Sequence, residues 1–314
     1  MGTGFARIQG IFVGERYQAA REKAWKTFRT LTGRPMGAVG LAIILFFVLM
    51  ALLAPLLAGP FPTYSPAVNL GTPNEPPSAT FPLGTDKTGR SNLALLVYGA
   101  RVSLIVGGTA TIIATLLGTT VGIVAGYYGR FPDQALSWIT NFFLVIPWLP
   151  FAIVLVSVIR EADLLPPDQE NFVSINIAIA LVSWPTTARV VRSKVLSVRT
   201  LTYVQRARAI GAQDAHIMWR HVFPVLGPLV FANTILTVSN AIWTESFLAF
   251  FKLSDPNAPS WGALIEQSWT NLDFLTARYW AFLPPGVCIT ALVLAFTMVS
   301  RVLEEVLNPK FRKR

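Results

Sequence analysis

Six stretches of this 314-residue chain each run for about 20 residues, and Glu245 is the single charged side chain in all of them. They cover residues 36–57, 102–127, 135–159, 172–188, 222–251 and 280–300. A helix needs about 20 apolar residues to cross the hydrocarbon of a bilayer. Inside that layer every backbone amide must find its partner within the protein, which leaves helices or closed barrels as solutions. Runs this long and this uniformly apolar are helical. The reading is an all-α integral membrane protein with six transmembrane helices. Residue 185, a proline, is expected to break the fourth of them.

Composition supports this. Hydrophobic residues make up 53% of the chain and charged residues 13%, against about 25% charge in a soluble domain. The net charge of +10 could suggest a nucleic-acid partner, but the lysines and arginines are not gathered on one polar domain. They sit in short clusters between apolar runs, twenty on one side of the alternating topology and six on the other. The positive-inside rule then places both termini in the cytoplasm. The organisation expected is a basic cytoplasmic tail (1–35), a first span (36–57), an external proline-rich loop (58–101), a core (102–302) and a basic cytoplasmic tail (303–314). In the first tail, residues 15–31 place Tyr17, Ala20, Ala24, Phe28 and Leu31 on one face, as an interfacial basic helix would; a solvated tail that only sets topology fits as well.

Chemistry of the covalent kind is missing. Gly84-Thr85-Asp86-Lys87-Thr88-Gly89 resembles a phosphate-binding loop only superficially. Two histidines and one cysteine, Cys288, make a soft-ligand metal site implausible. No catalytic residue, cofactor site or metal site is expected. Glu245 is a candidate by default, because a carboxylate within a span is costly; it either supports the bundle or meets the transported solute.

The largest polar connection, 189–222, carries an informative pattern. Residues 203–210 suit a helix, Gly211 interrupts, and 212–222 suit a second helix up to Pro224. Ile217, Met218 and Val222 place apolar groups on a polar segment. Two short helices cannot bury these alone, so they need a protein groove or the membrane surface, with helix-in-groove docking the expected partner mode.

Tyr203-Val204-Gln205-Arg206-Ala207-Arg208-Ala209-Ile210-Gly211-Ala212, followed by Trp219-Arg220-His221-Val222-Phe223-Pro224, resembles the coupling segment of ABC importer permeases. Leu83-Gly84-Thr85-Asp86-Lys87-Thr88-Gly89-Arg90, Tyr98-Gly99-Ala100-Arg101-Val102-Ser103-Leu104, Glu245-Ser246-Phe247-Leu248 and Pro259-Ser260-Trp261-Gly262-Ala263-Leu264 resemble further signatures of the dipeptide and oligopeptide branch, with features of its C-type subunit. The resemblance spans residues 36–310. Gln205 and Arg206 depart from it, standing where the family usually has Glu and Ala, and Lys252 replaces a glycine.

The resemblance implies a permease subunit with a short coupling helix between helices 4 and 5. Its implied partners are a second homologous permease, two ATP-binding subunits that hold ATP and magnesium, an extracytoplasmic substrate-binding protein and membrane lipid, with no nucleic acid. The implied ATPase contacts are Gln205, Arg206, Ala207, Ile210, Gly211, Ile217, His221 and Pro224; Glu245, Phe247, Lys252 and Trp261 are candidates for the pathway or gate. The implied cargo is a di- or oligopeptide, with oligosaccharides or nickel chelates as alternatives. A gradient-driven carrier is the other class; it would need inverted repeats and intramembrane ion ligands, and only Glu245 offers itself.

Overall fold

Long apolar segments can satisfy their amides only as helices, and helices dominate the computed structural model, which describes residues 25, 28–59, 71–163, 166–255 and 258–307. In chain order they are α1 (Pro35–Leu52), α2 (Ala54–Ala58), α3 (Asn92–Tyr128), α4 (Arg130–Val145), α5 (Trp148–Glu161), α6 (Pro167–Val198), α7 (Thr202–Ala209), α8 (Asp214–Ile217), α9 (Phe223–Phe250), α10 (Trp261–Thr270) and α11 (Tyr279–Leu307). A single π-helical turn, Met218–Val222, joins α8 to α9. Among the described residues, five helices are long and apolar enough to cross a membrane, and six spans result if α4 and α5 together form one.

Three features of the spans stand out against expectation. The third span is not one rod: α4 and α5 meet at a 99° bend, where Ile146 turns extended and Pro147 precedes the first residue of α5. The fourth is not broken at Pro185, since α6 runs through it for 32 residues. A proline within a helix can be held when neighbouring helices and side chains compensate the freed carbonyl. Finally, α3 starts at Asn92 instead of 102, capped by the Ser91 hydroxyl, which accepts from the Ala94 amide. The tail residues 15–24 lie outside the described residues, while Leu31 is buried among Ala232, Val299, Val302 and Leu303.

The centre of the bundle is the pairing of α3 with α6. Gly118, Gly122 and Gly126 recur every fourth residue along α3, and a methyl on any of them would lie within 2.7 Å of α6 atoms. Without a hydrophobic force between helices in lipid, such small residues let backbones approach and gain dispersion contacts. On the other side, α9 meets α11 through hydroxyl bonds: Ser239 Oγ donates to the Val293 carbonyl at 2.8 Å, and Ser300 Oγ to the Ala232 carbonyl at 3.0 Å. α1 lies against α11, where Gly40 has no room for a side chain beside Ala295 and Val299. Arg34, just before α1, pairs with Glu305 near the end of α11.

The loop before α3 is tightly closed. Asp86 accepts from the Thr88 amide and hydroxyl and from the Arg90 amide on one oxygen, and from Arg90 Nε at 2.7 Å on the other. Gly84 and Gly89 adopt φ of +64° and +81°, with carbonyls 2.3 and 2.4 Å from where a Cβ would sit. The segment that looked like a phosphate loop therefore has its own carboxylate where an anion would bind.

Candidate functional site

The segment between α6 and α9 forms a short lever on the bundle. α7 is followed by Gly211 in the left-handed region at φ +84°, with the Ala212 amide bonding back to the Ala207 carbonyl. This helix ending favours glycine. α8 and the π turn then lead into α9. Val204, Ala207, Ile217 and Val222 turn inward and join Tyr127 of α3, Val191, Val195 and Val198 of α6, and Leu226 of α9. Ile217 and Val222 are fully buried, and Met218 packs against the same cluster. The expectation that these three need a protein groove or the membrane surface is corrected: the ends of this chain's own long helices cover them.

Different apolar groups are left bare. Ile210 is 85% exposed and Trp219 70%, while Gln205, Arg206, Gly211 and Pro224 are exposed beside them. Gln205 Nε2 donates to the Arg199 carbonyl at 2.8 Å. His221 is half-buried, its ring near Tyr203 and His216. The lever is tied to α3 by a polar contact: Tyr127 Oη donates to Asp214 Oδ1 at 2.6 Å. Arg208 lies over the Tyr127 ring, 5.0 Å from its centre, and 3.8 Å from Asp214.

The bend between α4 and α5 opens a cavity of about 570 Å³ against α6 and α9. Its aromatic wall is Phe143, Trp148, Phe151 and Trp243, and its polar rungs include Asn233 and Asn240 of α9. Among the described residues, no charged side chain lines it.

A family model described as binding-protein-dependent transport system inner membrane component matches residues 118–313. A second, the N-terminal TM domain of oligopeptide transport permease C, matches residues 23–77. Dipeptide transport system permease protein DppC of Alkalihalophilus pseudofirmus is 36% identical over 292 residues, 92% of this chain and 90% of that protein. Oligopeptide transport system permease protein OppC of Bacillus subtilis is 31% identical, covering 88% of this chain and 87% of its own length. The chain belongs to this family: it is a C-type permease subunit of a binding-protein-dependent ABC importer. An inward-facing structure of the MetNI methionine ABC transporter covers 68% of the permease and 96% of its own chain, with a TM-score of 0.55 and 16% identity. That match shows a shared fold.

The permease brings its predicted pathway residues to the opposite end of α9 from the lever. Glu245 is 1% exposed and outside the cavity lining; Ser103 Oγ donates to its Oε2 at 3.3 Å, and Ser260 also bonds to it. Trp261 is fully buried, donating from Nε1 to the Leu96 carbonyl at 2.8 Å and packing edge-on against Phe47. Phe247 is half-buried and sits edge-on to Trp148 and Trp243, behind the cavity wall. Lys252 is an exposed residue at φ +63°, 3.3 Å from Glu266 of α10. Glu245 and Trp261 thus meet at one buried junction of α3, α9 and α10, whereas Phe247 and Lys252 contact other neighbours. The cavity residues of α4, α5 and α9 were not singled out from sequence, since apolar aromatics within a span look the same whether they face lipid, a neighbour or a cavity.

Proposed function

We propose that this permease carries di- or oligopeptides inward in an ATP-driven importer. It forms the pathway with a second homologous permease subunit; two ATP-binding subunits, which hold ATP and magnesium, seat on its lever, and an extracytoplasmic binding protein delivers cargo at the other face. Both termini and the lever are cytoplasmic, in line with the arginine and lysine distribution. The observation that carries this reading is the exposed edge of the lever: Ile210 and Trp219 stand bare on an element otherwise rooted in α3, α6 and α9. A large exposed apolar pair on a polar segment marks a protein contact.

Closure of the ATPase pair moves the lever, and the Tyr127–Asp214 bond passes that displacement to α3. ATP and cargo act through their different affinities for inward- and outward-facing arrangements. The uncharged cavity beside the α4–α5 bend faces the pathway, where aromatic rings and the amides of Asn233 and Asn240 suit a peptide's side chains and backbone. Peptide cargo rests on the relatives' names.

Reconstitution of the chain with its partner subunits tests this. ATP hydrolysis is expected to rise when the binding protein is loaded with peptide. A rise only with an oligosaccharide or a nickel chelate would transfer the cargo assignment. Solute movement down an ion gradient without any ATPase would overturn the importer mechanism.

A further inference from the structure

A second cavity, of about 210 Å³, lies between α3, α4 and α6 and shares no lining residue with the first. A single water needs only about 10–15 Å³ of such space. Gly122, Ala125 and Ala188 give small walls; Arg189, Arg192 and Asn141 supply the polar ones. Among the described residues, no carboxylate lines it.

The charges in it are not balanced. Arg192 is neutralised: it grips Asp133 with two bonds, Nε to Oδ1 at 2.5 Å and Nη2 to Oδ2 at 2.8 Å. Ser137 donates to the same carboxylate at 3.2 Å. Arg189 instead donates from Nη2 to the neutral Asn141 Oδ1 at 2.9 Å, and among the described residues it has no ion pair. One turn along α3 from Gly122, the Arg199 guanidinium bonds the carbonyls of Gly126 and Tyr127 and adds more positive potential. Asn141 spends its carbonyl oxygen on Arg189, which leaves its amide hydrogens to donate.

Donors in excess, an uncompensated guanidinium and a roomy crevice between membrane helices suit a phosphate group. On the same helix as Asn141, Trp138 and Phe142 are 71% and 54% exposed and stack on each other, as rings do at the headgroup level. We propose that Arg189 and Asn141 bind the phosphate of an anionic phospholipid in this crevice, one of the basic sites between membrane helices that hold lipid headgroups. The lipid would brace α4 against α6. This assignment is independent of the cargo and of the transport mechanism.

Native mass spectrometry of the detergent-purified complex, titrated with phosphatidylglycerol or phosphatidylcholine, tests it. Selective retention of phosphatidylglycerol is expected; equal retention of the two lipids overturns the proposal without recourse to any variant. Arg189→Gln, which removes one charge-assisted hydrogen bond, is expected to weaken phosphatidylglycerol binding about tenfold or more, and Arg189→Lys to restore much of it. Undiminished binding in R189Q would also overturn the site. Displacement of the lipid by millimolar inorganic phosphate would assign the same donors to a free anion and reject the lipid.

Discussion

Each end of α9 carries a short helix held against α3, and the two are held in different ways. At one end the first turn of α10 is a wedge. Ser260, Trp261 and Gly262 are all buried, Trp261 fills the space left by Gly99, and a methyl on Gly262 would lie 2.5 Å from the Ser246 carbonyl. At the other end α7 lies side-on, with Val204 and Ala207 as its buried contacts. A methyl on Gly211 would meet nothing within 4 Å. A wedge resists displacement because packing around it is saturated; a lever rooted in a few apolar contacts and one strong hydrogen bond can move as a unit. The α10 end is thus packed as a brace, and under the proposed function the α7 end is the part that receives force.

The largest way to break this contrast is at the wedge. Trp261→Ala is expected to cost about 3–5 kcal/mol, seen as a lowered melting temperature of the purified subunit; an unchanged melting curve would mean that the tryptophan is no brace. Gly262→Ala should cost less, about 1–3 kcal/mol by overpacking, and the same melting assay reads it. At the lever, Tyr127→Phe removes the bond to Asp214 at about 1–2 kcal/mol. Its main effect should fall on coupling: stimulation of ATP hydrolysis by the loaded binding protein is expected to drop at least about fivefold, with basal hydrolysis nearly kept. Equal loss of both rates would show Tyr127 to be merely structural. Gly211→Ala meets open space and should cost only the left-handed backbone, about 1–2 kcal/mol, read as a small shift in urea midpoint.

The spans were legible because lipid imposes a length and a polarity that few other environments demand. The 99° bend was not, because a proline in an apolar run does not reveal its own outcome. Pro185, Pro228, Pro284 and Pro285 stay inside helices, whereas Pro147 marks a break. The distinction depends on whether neighbours compensate the freed carbonyls, which is a tertiary matter. α10 was hidden in a connection that reads as loop, though Ser260 is its N-cap, followed three residues on by the apolar Ala263-Leu264-Ile265. For the lever, periodicity identified Ile217 and Val222 as apolar but could not tell whose surface covers them. The residues left exposed, Ile210 and Trp219, emerge only once the inward set has been filled by α3, α6 and α9. In sequence Arg189 is one of the twenty basic residues on the cytoplasmic side, and that its partner is the neutral Asn141 of another helix is set by tertiary packing.

The division into brace and lever is tested most directly by placing a photo-reactive side chain at position 210 and, separately, at Trp269, an exposed residue of α10, in the assembled importer within membranes. Cross-links to an ATP-binding subunit are expected from position 210 and not from 269. Cross-links to that subunit from 269, or none from 210, would contradict the assignment of α7 as the element that receives the force of ATP closure.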